Sequence, residues 1–113
     1  MAETIKRLGA VRPSSASTWT QLYQTASGTT AVVSCLAICN QTSSAVTVRV
    51  AHEDGTTGTP ANEDIFLYDE TIPANTTLQL TWGITVGAQN TLLVYVSDAD
   101  STSFVAWGTE ITS

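Results

Sequence analysis

This 113-residue sequence is poor in charge: 12 % of its residues are ionic, against roughly a quarter in a typical soluble domain. Only four residues are basic, and the net charge is −6. Lys6, Arg7 and Arg12 share the first twelve positions with Glu3, so this head carries +2. Beyond it Arg49 stands alone against nine acids, a body of −8. Affinity for nucleic acid grows with the number of phosphates a protein neutralises, so this balance argues against a nucleic-acid partner. No apolar run approaches the roughly 18 residues of a membrane span, which argues against a membrane partner. "MAETIKRLGAVRP" lacks the apolar stretch of a secretory signal, so folding in a cytoplasm is expected. Helical periodicity is missing too: no window combines apolar i, i+3, i+4, i+7 spacing with caps.

What is abundant is threonine and serine, which fill the place of the missing ions. Threonine fits a half-buried pleated surface. Short β-rich runs alternate with turn clusters: "TWTQLYQT", "AVVSCLAIC", "AVTVRVA", "IFLYDETI", "LQLTW", "GITVGAQN", "TLLVYVS" and "FVAWGTEI", with "TIKRLGAV" as an extended arm before them. In "TWTQLYQT", Trp19, Gln21 and Tyr23 alternate with Thr18, Thr20 and Leu22. The runs at residues 31–39 and 45–51, joined by "NQTSS", read as a hairpin. "HEDGTTGTPANED" is the longest polar stretch, punctuated by Gly55, Gly58 and Pro60. About eight strands at near ten-residue spacing predict an all-β fold, an antiparallel β-sandwich of immunoglobulin-like or jelly-roll-like type. The expected organisation is a basic arm over residues 1–17 and a sandwich domain over 18–113.

Cys35 and Cys39 lie in "VVSCLAICN". On a strand their Cα atoms stand roughly 13 Å apart, whereas a disulfide tolerates at most about 7 Å. Strict alternation places Val33, Cys35, Ala37 and Cys39 on one face and Val32, Ser34, Leu36 and Ile38 on the other. Both faces are apolar, as in a central strand covered on both sides, so the thiols are expected to behave as small buried hydrophobes. One histidine, His52, and two cysteines leave zinc short of its usual four ligands.

His52, Glu53 and Asp54 form the only acid–base grouping, and the expectation is a solvated turn: no nucleophile motif, phosphate loop or HExxH accompanies them. No catalytic residues, metal ligands or cofactor are therefore expected, and no enzyme. The acid pairs Glu53–Asp54, Glu63–Asp64, Asp69–Glu70 and Asp98/Asp100 miss the EF-hand pattern and are read as solubilising groups. The N-x-T triplets at Asn40 and Asn75 are read as turn chemistry. Trp19, Trp82 and Trp107 are expected to pack between the sheets.

The order of motifs carries a resemblance. "LYQTASGTTAVVSCLAICNQTSSAVTVRVAHEDG" runs into "LYDETIPANTTLQLTWGITVGAQNTLLVYVSDADSTSFVAWGTEI", ending on Trp107, Gly108, Thr109 and Glu110. Over residues 18–111 this resembles small β-sandwich virion proteins of tailed bacteriophages. The resemblance implies a structural role in the virion, first as a capsid decoration (cement) protein and next as a tail, neck or baseplate component. It implies assembly in the host bacterial cytoplasm, with the major capsid protein, tail or neck proteins, or further copies of the chain as partners. A carbohydrate- or cell-surface-binding module is the other reading. Ile5, Lys6, Arg7, Leu8, Val11 and Arg12 of the arm are the candidate partner-binding residues, their cations suiting an acidic neighbour.

Overall fold

β-branched and aromatic residues drive the chain into extended segments, and turn residues break it where the sequence places them. The computed structural model describes residues 2–112. Among the described residues nine strands form: β1 (Ala2–Val11), β2 (Thr20–Gln24), β3 (Thr29–Asn40), β4 (Val46–Glu53), β5 (Ile65–Ile72), β6 (Thr77–Leu80), β7 (Ile84–Val86), β8 (Thr91–Val96) and β9 (Thr102–Thr112), with a single 3₁₀ turn at Asn62–Asp64. Two antiparallel sheets result. One runs β1-β9-β3-β6, with β7 also paired to β3; the other runs β2-β8-β4-β5. The fold is the expected β-sandwich. Residues 1 and 113, the outer limits of the two expected segments, lie outside the described residues.

The inner faces meet over Leu36, Ile38, Phe104 and Ala106 from the first sheet and Val48, Val50, Leu92, Val94 and Val96 from the second, all sealed from solvent. Burying each of the larger ones stabilises the fold by about 1.5–3 kcal/mol. The hairpin expected between residues 31–39 and 45–51 does not form. β3 and β4 lie in opposite sheets, and the intervening turn carries the chain across the sandwich. Asn40 organises that crossing. Its buried Nδ2 donates to the carbonyls of Ser44 (2.9 Å), Ile72 (3.1 Å) and Pro73 (3.2 Å), while Oδ1 accepts from Thr42 N (3.0 Å) and Oγ1 (2.8 Å). Asn75 sits in the left-handed region at φ 56°, and Asn40, the last residue of β3, braces the turn that follows it, so both N-x-T asparagines serve turns.

The two-residue alternation of β3 does not hold throughout. Its register against β9 slips between Val33 and Cys35. Ala31 and Val33 point into the core before the slip; Leu36, Ile38 and Asn40 point in after it. One extra residue in a strand reverses the phase of everything beyond it. Cys35, Ala37 and Cys39 are thereby turned onto the outer face, where they are half-buried. Both thiols are free, and neither is a core residue. The expectation of a strand covered on both sides was wrong for this reason. β1 slips opposite the same place, between Arg7 and Gly9. The two bulges flank Trp107, which pairs with Arg7 on one side and Cys35 on the other. Gly108 sits at this line of bending. A Cβ there would lie 1.9 Å from the Val32 carbonyl oxygen. A third slip, between Gln21 and Tyr23, lets both Leu22 and Tyr23 turn inward, against the strict alternation expected for that strand.

Candidate interaction surfaces

The outer face of the second sheet carries a ladder of aromatic rings around one arginine. Trp19, just before β2, packs on Tyr95 of β8 with ring centroids 5.2 Å apart. Arg49 of β4 is paired in register with Tyr95, and its guanidinium lies 4.5 Å from that ring and 4.3 Å from the Tyr68 ring of β5. Asp69 completes the site: Arg49 Nε donates to Oδ1 at 2.7 Å and Nη2 to Oδ2 at 3.2 Å. The fork-on-fork geometry explains why Asp69 is held below the usual carboxylate range and Arg49 above its own ordinary value. A bulge makes this possible. Val48 pairs with Glu70 and Val50 with Leu67, so Tyr68 and Asp69 together oppose Arg49, and Asp69 adopts φ 50°. Tyr68 remains 64 % exposed. Tryptophan, tyrosine and arginine are the residue types that dominate binding at protein interfaces, and this arrangement holds its arginine rigidly against two rings.

None of these residues stood out as functional in the sequence. The available signal was phase. In "VTVRV" and "LLVYV" the residues between the buried valines face outward, and the acidic body's single cation occupies one of those positions. The tryptophan expectation is also overturned. Trp82 is 61 % and Trp107 42 % exposed, and Trp19 lies on the outer face of its sheet. Trp82 falls between β6 and β7 and meets Phe66 edge-on at 6.1 Å. Trp107 follows β9's alternation, whose inward positions belong to Phe104, Ala106 and Gly108.

The six arm residues are divided between roles. The segment is strand β1, paired with β9 along its length. Leu8 and Val11 pack against the core. Arg12 Nη2 donates to the Asp100 carbonyl at 2.5 Å. Lys6 faces inward and pairs with Glu110 at 3.4 Å. Glu110 also accepts from Tyr23 Oη at 2.5 Å, and this bond, with Lys6 behind it, holds its carboxyl below the usual range. Ile5, 87 % exposed, and Arg7 share the outer face with Trp107.

His52, Glu53 and Asp54 do not form the solvated turn expected of them. His52 and Glu53 are the last residues of β4, and Glu53 is only 6 % exposed. Its carboxylate clamps the following loop, accepting from Thr57 Oγ1, from Thr57 N (3.1 Å) and from Gly58 N (3.0 Å), which lowers its pKa. His52 Nε2 lies 3.2 Å from the Asn90 side-chain amide. Among the described residues no three or more histidine, cysteine, aspartate or glutamate side chains gather where an ion could sit.

No protein-family profile matches the sequence, and no curated protein matches it. Among solved structures, a chain of infectious bursal disease virus, Gx strain, is similar in fold, with TM-score 0.50 and 10 % identity over 97 % of this chain and 32 % of that one. The chain thus spans about a third of the viral chain's length. At this identity the likeness is one of fold.

Proposed function

We propose that this chain is a virion structural protein of a tailed bacteriophage, seated on the capsid as a decoration protein and held by subunit contacts. One observation carries the reading: the whole sandwich, nearly end to end, follows a fold also found in a chain of a virus particle. The motif order described above points to the tailed-phage group. The outward Trp19–Tyr95–Arg49–Tyr68 ladder supplies a surface for a major capsid protein or for another copy of the chain. The role calls for no catalysis. Purified protein mixed with phage heads lacking it should cosediment with them, and Arg49→Ala should weaken that binding. Cosedimentation with tails alone would move the protein to a tail, neck or baseplate position. The exposure of Trp82 and Trp107 favours one other reading, a glycan-binding sandwich. Tryptophan fluorescence that shifts with host surface glycans, without head binding, would select it.

A further inference from the structure

The open edge of the first sheet is built to pair with itself. β1 is the end strand of its sheet, with β9 on one side and no described strand on the other. From Leu8 onward β1 is mostly half-buried, and at Gly9 β2 of the opposite sheet lies against its face: a Cβ on Gly9 would stand 2.2 Å from the Leu22 carbonyl oxygen. Residues 2–7 are all exposed, which leaves a free edge about as long as an average strand. Such an edge is a template for another strand unless its side chains forbid it.

We infer that two copies of this chain join through residues 3–7 of β1 as an antiparallel pair about a two-fold axis centred on Ile5. The argument is one of register. A two-fold axis perpendicular to the sheet keeps each side chain on its own face. Residues placed opposite one another must then come from the same face, so their numbers sum to an even value. A sum of 12 sets Lys6 against Lys6, and like charges directly opposite are unfavourable. A sum of 8 sets Glu3 against Ile5 and Ala2 against Lys6, and satisfies no charge. A sum of 10 sets Glu3 against Arg7 twice, Thr4 against Lys6 twice, and Ile5 against its own copy. Glu3, Ile5 and Arg7 occupy the outer face, opposite Ile111, Thr109 and Trp107 of β9. Neither Glu3 nor Arg7 makes an ion pair with another described residue, whereas Lys6 is already engaged by Glu110 on the inner side. The cross-strand partner for both charges is thus supplied by the second copy. Ile5, the most exposed large hydrophobic among the described residues, gains a partner in the same step. The two five-stranded sheets become one continuous sheet.

This deepens the self-association included in the proposed function and does not depend on which particle the protein joins. The test is sedimentation equilibrium of the full-length chain at low salt. The parent protein should dimerise. Glu3→Arg or Arg7→Glu alone turns two attractions into two repulsions and should weaken dimerisation roughly 10- to 30-fold. The double exchange Glu3→Arg/Arg7→Glu should restore it. In a Cys35→Ser/Cys39→Ser background, Ile5→Cys should form a covalent dimer under copper phenanthroline oxidation, and Thr59→Cys, on a distant loop, should not. A chain that stays monomeric at all concentrations overturns the pairing. So does a dimer indifferent to the single reversals, or one the double exchange fails to restore. Head binding, measured separately, reports on the virion role whichever way the dimer test falls.

Discussion

Replacing Gly108 with alanine is the sharpest test of the bulged centre of the first sheet. In an ordinary strand interior this change helps, by about 0.5–1 kcal/mol, because glycine has more freedom to lose on folding. At Gly108 the structure demands the opposite sign. The added Cβ would lie 1.9 Å from the Val32 carbonyl oxygen, 2.9 Å from its carbon and 3.0 Å from the Val33 Cα. All three are backbone atoms of the adjacent strand, so no side chain can swing aside. β9 would have to separate from β3 where β3 already bulges, straining a core that includes Val33, Leu36 and Ala106. Overpacking a core typically costs 1–3 kcal/mol, and a clash with paired backbone belongs at the upper end, about 3 kcal/mol. For a domain of this size each kcal/mol is worth about 4 °C, so Tm should fall by roughly 12 °C. Differential scanning calorimetry of the two proteins, with urea denaturation as a check on cooperativity, reads the effect directly. A variant as stable as the parent, or more so, would refute the close approach of β9 and β3 and with it the reversed phase of Cys35.

Three further outcomes follow from the same structure. Cys35 and Cys39 should both react with a small maleimide in the folded protein, giving a double mass increment without denaturant; protection of both would return them to the core. Arg49→Lys should leave the fold intact yet lower Tm slightly and weaken the proposed partner binding, as is expected of Arg49→Ala, because an ammonium keeps the charge but not the planar fork on Asp69. Tyr23→Phe should alter the acid limb of stability. The Tyr23 bond depresses the folded pKa of Glu110, so its stabilisation is complete above the ordinary glutamate value of about 4.3 and fades as pH falls through the folded one. The stability difference between parent and Tyr23→Phe should therefore be constant from neutrality down to about pH 5 and shrink below pH 4; a constant difference down to pH 2 would count against the bond.

The fold class was legible because it depends on average properties: β-branched runs, turn clusters at regular spacing, and no helical period. The surfaces were less so, because they depend on phase. A single inserted residue near Ser34 sends Cys35, Ala37 and Cys39 outward, and another opposite Arg49 brings Tyr68 and Asp69 to the same guanidinium. Alternation read along one strand cannot reveal a slip, since a slip is a relation between two strands. Gly108 and Gly9 were the visible traces of the slips in the first sheet, being glycines inside otherwise strong strands. The supposed hairpin failed for a related reason. Two adjacent apolar runs can bury their faces by pairing edge to edge or by facing each other across a core, and alternation is the same in both. The amide of Asn40 braces the second arrangement, tying its own turn to the Ile72 and Pro73 carbonyls of a different strand connection.

The two sheets divide the surface chemistry between them. The second sheet spends its one cation internally, locking Arg49 between Asp69 and two rings, so its outer face offers a rigid, nearly neutral aromatic platform. The first sheet keeps opposite charges, Glu3 and Arg7, on one unpaired edge, and lines its outer face with Val32, Cys35, Ala37 and Val105. A rigid aromatic face suits a larger partner that is the same at every site, whereas a self-complementary edge suits a second copy. The proposed role, seated on a repeating lattice and joined to a neighbouring copy, would use both. Disabling one surface should therefore leave the other working: Arg7→Glu should still bind heads but as separate copies, and Arg49→Ala should still dimerise but bind heads poorly. Loss of both activities from either single change, with the fold intact, would mean that the two faces form one site.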